Sequence, residues 1–295
     1  MCNMIKIVFF DIDGTLVNDS AKVLPSTRMA IDLLKNKGVI CAIATGRGPY
    51  QLDRQVDGME MDVYVTYNGQ FTYTASQKEI LREEPLALET VETIIRIAKE
   101  QQYSLLLGEA NQLRGSRFML FAQKPYAKRL KRYLPKSDAV LQKMQQLKSW
   151  IKSRCRGKNR VKRTKRPVYQ IIMMLSKAEQ VAIEKDLPPC KITRSNPYSA
   201  DIISEEGSKM KGIEAVLDYY GLQVEEAAAF GDSWNDSEML NGVGIGVAMG
   251  NAAEEIKKQA DIITTSHNED GIARGLYLAG VLNEDEWKVV QQYRK

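Results

Sequence analysis

The sequence predicts an α/β fold with a mostly parallel sheet and a second α/β unit inserted into it. Near both ends of the chain, short apolar segments alternate with segments of helical periodicity. Such alternation is typical of a parallel sheet with helices on both faces. The middle of the chain differs in composition, and 295 residues exceed the size at which one hydrophobic core usually suffices.

The N-terminal elements are predicted in the order strand, helix, strand, strand. Residues 5–10 are an apolar run that predicts a buried strand. A helical segment begins at Ser26, a candidate N-cap, and ends at Gly38. Residues 39–44 and 62–67 predict the next two strands, so this part of the chain contributes three strands to the sheet.

The C-terminal elements continue the alternation. We expect a helix over residues 208–219, with Ser208 as its N-cap and Gly221 beyond its end. Strands are predicted at residues 198–203, 227–230, 244–248 and 261–264.

The middle of the chain is strongly basic. Residues 113–168 contain nineteen lysines and arginines and one acidic residue, Asp138, although the whole chain has a net charge of +5. The rest is therefore net acidic, and this segregation marks a separate unit. We expect residues 1–80 and 190–295 to form the core and residues 81–189 to form the inserted domain. Its predicted strands are at residues 103–107, 118–121 and 168–175.

Composition restricts the class of protein. No apolar run approaches the length of a membrane span, and Asp11 interrupts the N-terminal apolar run before it could serve as a signal peptide. The four cysteines lack the paired spacing of a zinc site or a disulfide framework. We therefore expect a cytoplasmic protein without a membrane partner, and its oligomeric state stays open.

The chain has one histidine, His267, in a polar stretch. Serine-histidine and cysteine-histidine catalysis would both have to use it. A solvated loop histidine is the simpler interpretation, so the chemistry is expected to depend on carboxylates and lysine.

Two carboxylates follow the first predicted strand, where ligands bind in open α/β sheets. Asp11 and Asp13 lie in the sequence Asp-Ile-Asp-Gly-Thr-Leu, and Gly14 allows a sharp turn after them. An aspartate can attack a phosphoryl group while a second carboxylate transfers a proton. Taken alone, the same pattern is also typical of an Asx turn.

Three further stretches accompany this one in a fixed order. Residues 44–47 read Ala-Thr-Gly-Arg, residues 207–213 read Gly-Ser-Lys-Met-Lys-Gly-Ile, and residues 230–236 read Phe-Gly-Asp-Ser-Trp-Asn-Asp. Together with residues 11–16 they resemble the four motifs of the haloacid dehalogenase (HAD) superfamily. Further stretches resemble its Cof-type phosphatase branch, namely residues 67–69, 247–252 and 269–273. The resemblance implies a Rossmann-like HAD core with a C2-type cap domain.

The resemblance also implies an activity, that of a Mg²⁺-dependent phosphatase hydrolysing small phosphorylated metabolites, such as sugar, nucleotide or cofactor phosphates. Asp11 would form an aspartyl-phosphate, and Asp13 would act as acid and base. The Mg²⁺ ligands would be the carboxylates of Asp11 and Asp232 and the backbone carbonyl of Asp13.

The remaining motif residues are implied to surround the phosphate. The donors would be the Ile12 and Gly46 amides, the Thr45 hydroxyl, Lys209 and Asn235. Asp236 is expected to orient Lys209 or the waters of the metal. Arg47 is expected either to pair with a substrate group or to brace its loop against the cap.

The lysine motif departs from the family pattern, because Met210 stands where glycine often follows the lysine. An alternative alignment takes Lys211, followed by Gly212, as the motif lysine. We prefer Lys209, since the Gly-Ile pair then lies three residues further on, as the pattern has it.

The basic segment at residues 152–166 has three interpretations. It is a solvated surface, it attracts anionic substrates by electrostatic focusing, or it binds nucleic acid. The segment has no aromatic residues on which bases could stack, which argues against nucleic acid. Two other functions stay open: a phosphotransferase or mutase with the same intermediate, and a nucleic-acid-binding protein that keeps the fold as a scaffold.

Overall fold

The structure is a computed structural model that describes residues 4–52, 56, 58–116, 119–120, 164–196 and 199–294. In chain order the strands are β1 Ile7–Phe10, β2 Ile40–Ala44, β3 Val63–Thr66, β4 Phe71–Thr74, β5 Ile80–Glu83, β6 Leu105–Glu109, β7 Gln112–Gly115, β8 Gln170–Met173, β9 Lys191–Asn196, β10 Ser199–Ile203, β11 Ala227–Gly231, β12 Ile245–Ala248 and β13 Ile262–Ile263. The helices are α1 Pro25–Asn36, α2 Leu88–Glu100, α3 Lys177–Ile183, α4 Lys209–Tyr220, α5 Ser237–Gly242, α6 Glu254–Lys257, α7 Gly271–Leu278 and α8 Glu284–Gln291.

The larger sheet has eight strands among the described residues, in the order β13-β12-β11-β1-β2-β3-β4-β5. The strands from β13 to β3 are parallel, and β4 and β5 add an antiparallel edge. The predicted α/β fold with a mostly parallel sheet is therefore confirmed. The parallel strands end at one edge of the sheet, so the loops that follow them meet there.

Both faces of the larger sheet are covered by helices, as the alternation of side chains in β1 illustrates. Val8 and Phe10 point into a core that α1, α7 and α8 share. Ile7 and Phe9 point to the opposite face, where they join residues of α4 and α5. Each fully buried side chain of this size contributes roughly 1.5–3 kcal/mol of hydrophobic stabilisation.

The smaller sheet has five described strands in the order β7-β6-β8-β10-β9, all in antiparallel pairs. It has a separate hydrophobic core, formed with α2 and α3. The chain crosses from the larger sheet to this unit after β5 and returns after β10.

The position of β9 and β10 differs from the expectation. The sequence predicts a strand at residues 198–203 in the parallel sheet, as part of the core that resumes at residue 190. Both strands instead belong to the smaller sheet, and β10 pairs with β8 and β9. The apolar pattern identified the strand, but its partners lie elsewhere in the sequence and cannot be deduced from that pattern.

Some predicted features lie outside the described residues. Of the strand predicted at residues 118–121, the structure describes only residues 119–120, which are helical, and most of the basic segment at residues 152–166 lies outside the described residues. None of the helices in the described part of the chain combines the length and the apolarity that a membrane crossing needs.

Candidate active site

The loops that follow β1, β2, β3, β11 and β12 meet at the carboxyl edge of the larger sheet. This edge is where open α/β sheets bind their ligands. Three of the four motif stretches lie in these loops, and the fourth begins α4.

A cluster of three aspartates occupies this edge. Asp11 follows β1, and Asp232 and Asp236 follow β11. One carboxylate oxygen from each of the three lies within 4.8 Å of the other two. Asp11 and Asp236 are buried, and Asp232 is partly exposed. Carboxylates crowded in this way repel one another, so a cation is needed to balance them.

Lys209 supplies a cation within the cluster. Its Nζ lies 2.6 Å from Asp11 Oδ1 and 2.6 Å from Asp236 Oδ1, and its side chain is fully buried. Burial by itself would lower the pKa of Lys209, but the two carboxylates raise it above its ordinary value. Lys209 is therefore held as a cation next to Asp11.

The start of α4 determines which lysine reaches the cluster. Ser208 caps the helix, and its hydroxyl accepts a hydrogen bond from the Lys211 amide. The first helical side chain, Lys209, then points into the cluster. Lys211 lies on the surface, where its Nζ is 2.8 Å from Glu214. This is the geometry expected for the preferred alignment.

Asp236 uses both carboxylate oxygens within the protein. Oδ1 contacts Lys209, and Oδ2 accepts from the amides of Asp232 and Ser233 at 3.0 and 2.9 Å. Asp236 therefore orients Lys209 and the loop after β11 and has little capacity left for a metal.

The other two aspartates carry raised pKa values. Burial raises the pKa of Asp11 to about 7, although Lys209 opposes the shift. Burial and the charge of Asp11 raise the pKa of Asp232 to about 8. Both shifts are expected where carboxylates are buried close to one another.

Asp232 is held from three sides. Thr15 Oγ1 donates to its Oδ1 at 3.2 Å, and Asn251 Nδ2 lies 3.4 Å from its Oδ2. Gly14, at φ +88°, has no room for a side chain, because a Cβ would lie 2.3 Å from the same Oδ2. The glycine therefore allows the turn after Asp11 to approach Asp232.

Asp13 and Arg47 form an ion pair through both carboxylate oxygens. The Asp13 side chain is 59% exposed and that of Arg47 is 14% exposed. This pairing of Arg47 with Asp13, the expected acid and base, was not predicted, and the predicted contacts of Arg47 with a substrate group or the cap stay predictions. A bidentate pair of this kind fixes the orientation of the carboxylate.

Residues 45–46 form the loop after β2. The Thr45 hydroxyl accepts from the Arg47 amide at 3.2 Å, which leaves its own proton for another acceptor. The carbonyl of Gly46 accepts from Gln170 of β8 at 3.1 Å. Ile12 is fully buried, and its carbonyl accepts hydrogen bonds from backbone amides of the following turn.

Asn235 lies in a chain of side-chain amides that was not predicted. Its Nδ2 donates to Asn68 Oδ1 at 2.9 Å, and Asn68 Nδ2 donates to Gln170 Oε1 at 2.9 Å. Asn68 belongs to residues 67–69, which resemble the Cof-type branch, but that resemblance did not indicate this contact. Gln170 carried no signal in the sequence, and Asn251 lies in residues 247–252, whose resemblance to the Cof-type branch gave it no assigned role.

The donor set suits a hard divalent cation. Asp11 and Asp232 offer carboxylate oxygens beside each other, and hard oxygen ligands are those that Mg²⁺ and Ca²⁺ prefer. No histidine or cysteine among the described residues joins the cluster, so the set does not resemble a zinc site.

Comparison with known proteins identifies the family. Residues 8–276 match the family described as haloacid dehalogenase-like hydrolase. The protein YkrA of Bacillus subtilis strain 168 is 27% identical over 281 residues, which are 94% of this chain and 98% of that protein. In the same organism, the 5-amino-6-(5-phospho-D-ribitylamino)uracil phosphatase YitU is 26% identical and matches 92% of this chain and 96% of its own.

Solved structures agree with these matches. The HAD subclass IIB sugar phosphatase BT4131 has a TM-score of 0.73 and 26% identity, and the alignment covers 94% of this chain and 100% of that one. A protein of Geobacillus kaustophilus HTA426 has a TM-score of 0.71 and 30% identity, and the alignment covers 94% of this chain and 100% of that one.

Proposed function

The chain belongs to the haloacid dehalogenase-like hydrolase family as a phosphoric monoester hydrolase, and we propose that the cluster around Asp11 and Lys209 is its active site. The observation that carries the proposal is the buried contact of 2.6 Å between Lys209 Nζ and Asp11 Oδ1. It places a carboxylate and a permanent cation together at the ligand-binding edge of the sheet. An anionic phosphate and an attacking carboxylate both need such a cation.

The proposed reaction has two steps on Asp11. In the first, an Asp11 oxygen forms a bond to phosphorus while the bond from phosphorus to the alcohol oxygen breaks, and Asp13 gives its proton to that oxygen. In the second, Asp13 takes a proton from a water that attacks phosphorus, and the bond to Asp11 breaks. Arg47 positions Asp13 through the bidentate pair.

We propose that Asp11 and Asp232 hold one Mg²⁺ through their carboxylates, together with the backbone carbonyl of Asp13. Bound there, Mg²⁺ neutralises charge on the nucleophile and the phosphate. Asp236 is not included among the metal ligands, because one of its oxygens accepts from Lys209 and the other accepts from a backbone amide.

The phosphate is proposed to bind between four elements. Thr45 and Lys209 contribute a hydroxyl and a cation, Asn235 an amide, and Ile12 and Gly46 their backbone N–H groups. The Thr45 hydroxyl keeps a free proton for this purpose, since it accepts from Arg47.

We propose that the unit of the smaller sheet is a cap domain that selects the substrate. The expected boundary at residue 190 is moved accordingly, so that the cap includes β9 and β10. YitU is named for a phosphoribitylamino compound and BT4131 for a sugar phosphate. These names favour phosphate esters of sugars or polyols among the small metabolites to be tested.

A metabolite screen tests this function. Sugar, polyol, nucleotide and cofactor phosphates are each incubated with the protein and Mg²⁺, and released phosphate is measured against Asp11→Asn. We expect release from at least one class, with none in the variant. Glycerol added as an acceptor separates hydrolysis from phosphotransfer, since a transferase would form glycerol phosphate. Release that persists in Asp11→Asn would contradict the proposed nucleophile.

A further inference from the structure

One buried glutamine of the smaller sheet contacts two parts of the proposed phosphate site. Gln170 lies on β8 and is fully buried. Its Nε2 donates to the Gly46 carbonyl at 3.1 Å, and its Oε1 accepts from Asn68 at 2.9 Å. Asn68 in turn accepts from Asn235 at 2.9 Å. One side chain of the smaller sheet is therefore linked to the loop after β2 and, through Asn68, to the loop after β11.

These hydrogen bonds have one consistent direction. Each amide nitrogen in the chain from Asn235 through Asn68 and Gln170 to Gly46 donates to the oxygen of the next group. The Gly46 carbonyl at the end of the chain can only accept a hydrogen bond. No side-chain amide in the chain can therefore exchange its nitrogen and oxygen without breaking a hydrogen bond. The chain therefore fixes the orientation of the Asn235 amide, with its oxygen accepting from Ser233 at 2.6 Å.

The backbone at Asn68 is held in an unfavourable conformation. Tyr67 and Asn68 have φ of +51° and +54°, a backbone region that residues other than glycine rarely adopt. Such strain persists only where the surroundings fix it. Here the Tyr67 ring stacks on Tyr169 at 6.0 Å, and its hydroxyl donates to the Glu109 carbonyl at 2.9 Å. Both partners belong to the unit of the smaller sheet.

The same turn also contacts both connections between the two units. The Gln70 carbonyl accepts from the Glu84 amide at 2.8 Å, just after β5. Its side-chain Oε1 accepts from Ser204 Oγ at 2.9 Å, just after β10. The position of residues 67–70 therefore depends on where the smaller sheet sits relative to the larger one.

We propose that Gln170 is a positioning residue that couples the seating of the smaller sheet to the phosphate-binding geometry of Gly46 and Asn235. When the unit is seated, Gln170 and Asn68 orient these two groups. When it is displaced, the Gly46 carbonyl and Asn68, which holds Asn235, lose Gln170 at once. The inference depends on the proposed function, since Gly46 and Asn235 matter only if they bind phosphate.

The test compares Gln170→Leu and Gln170→Glu with wild type, using p-nitrophenyl phosphate as substrate and inorganic phosphate as inhibitor. Gln170→Leu removes both hydrogen bonds, and Gln170→Glu keeps the acceptor for Asn68 but places an oxygen against the Gly46 carbonyl. Gln180→Leu is the matched control, because Gln180 bonds Arg194 within the smaller unit. We expect kcat/KM to fall roughly 10- to 100-fold in both Gln170 variants. The inhibition constant of inorganic phosphate should rise, and half-saturation by Mg²⁺ should stay unchanged.

A double-variant cycle separates coupling from general destabilisation. Asn68→Gly removes the acceptor for Asn235 and the donor to Gln170, suits the positive φ at this position, and places no charge beside Asp201, to which Asn68 also hydrogen-bonds. In that background Gln170→Leu should lower kcat/KM by a smaller factor than in wild type. Equal factors in both backgrounds, a changed Mg²⁺ response or an unchanged phosphate inhibition constant would overturn the proposal. A wild type without Asp11-dependent phosphate release would instead contradict the proposed function itself.

Discussion

Lys209 Nζ lies 2.6 Å from Oδ1 of Asp236, and both side chains are fully buried. Lys209 also contacts Asp11, so the pair with Asp236 holds the lysine beside the proposed nucleophile. One cation thus orders two loops that the sequence separates widely, and Asp236 prevents it from turning away from the nucleophile.

Lys209→Met is therefore expected to abolish phosphate release and to destabilise the fold. Removing one partner of a buried ion pair typically costs about 3–5 kcal/mol, because the other charges lose their compensation. Lys211→Met is the matched control on the same helix, where Lys211 pairs with Glu214 on the surface. Its free energy of unfolding should change by about 0.5 kcal/mol or less. Chemical denaturation and phosphate assays check both variants, and an inactive but stable Lys211→Met would favour the alternative alignment.

Asp11→Asn is expected to remove turnover while leaving the protein folded. The amide has nearly the same shape but is a poor nucleophile, and it reduces the repulsion within the aspartate cluster. Thermal unfolding checks the fold, and released phosphate checks the activity. Asp218→Asn, an exposed position on α4, is the control and should behave as wild type.

The stability of the metal-free protein should depend on pH in a defined direction. Burial raises the pKa of Asp232 from 3.8 to about 8 and that of Asp11 to about 7. The folded state then binds more protons than the unfolded state between pH 4 and pH 8, so stability falls as pH rises through this window. Thermal unfolding in EDTA at several pH values measures this decline.

Mg²⁺ should act in the opposite direction, because it binds the deprotonated carboxylates. Its stabilising effect is expected to be small at pH 5 and largest at pH 8. Asp232→Asn should weaken both the pH-dependent decline and the response to Mg²⁺. An equal Mg²⁺ effect at pH 5 and pH 8 in wild type would argue against binding through these carboxylates.

The sequence carries the parts of the site that depend on local pattern. The strand before Asp11, the cap at Ser208 and the order of the motifs each leave a local signal, and the corresponding elements are present at the expected places. Membership of the family follows from the same motifs, and the family match confirms it.

The parts that depend on distant contacts could not be predicted. The pairing of Arg47 with Asp13 and the contact of Gln170 with Asn68 join residues from different elements. The strand at β10 was recognised, but its sheet was not, because strand partners are chosen by packing across the whole chain.

Gly69→Ala is expected to disturb the site through the start of α4. Gly69 has φ +89°, and a Cβ there would lie 1.9 Å from the Ser208 carbonyl oxygen. The helix start that carries Lys209 would have to shift, so we expect a loss of about 1–3 kcal/mol from overpacking and a lower kcat. Gly38→Ala is the matched control, because Gly38 has φ +76° but no atom within 4 Å of the added Cβ. It should cost about 1 kcal/mol from backbone strain alone and leave kcat unchanged. Denaturant unfolding and phosphate release measure both, and equal effects of the two substitutions would show that contact with Ser208 does not hold Lys209 in place.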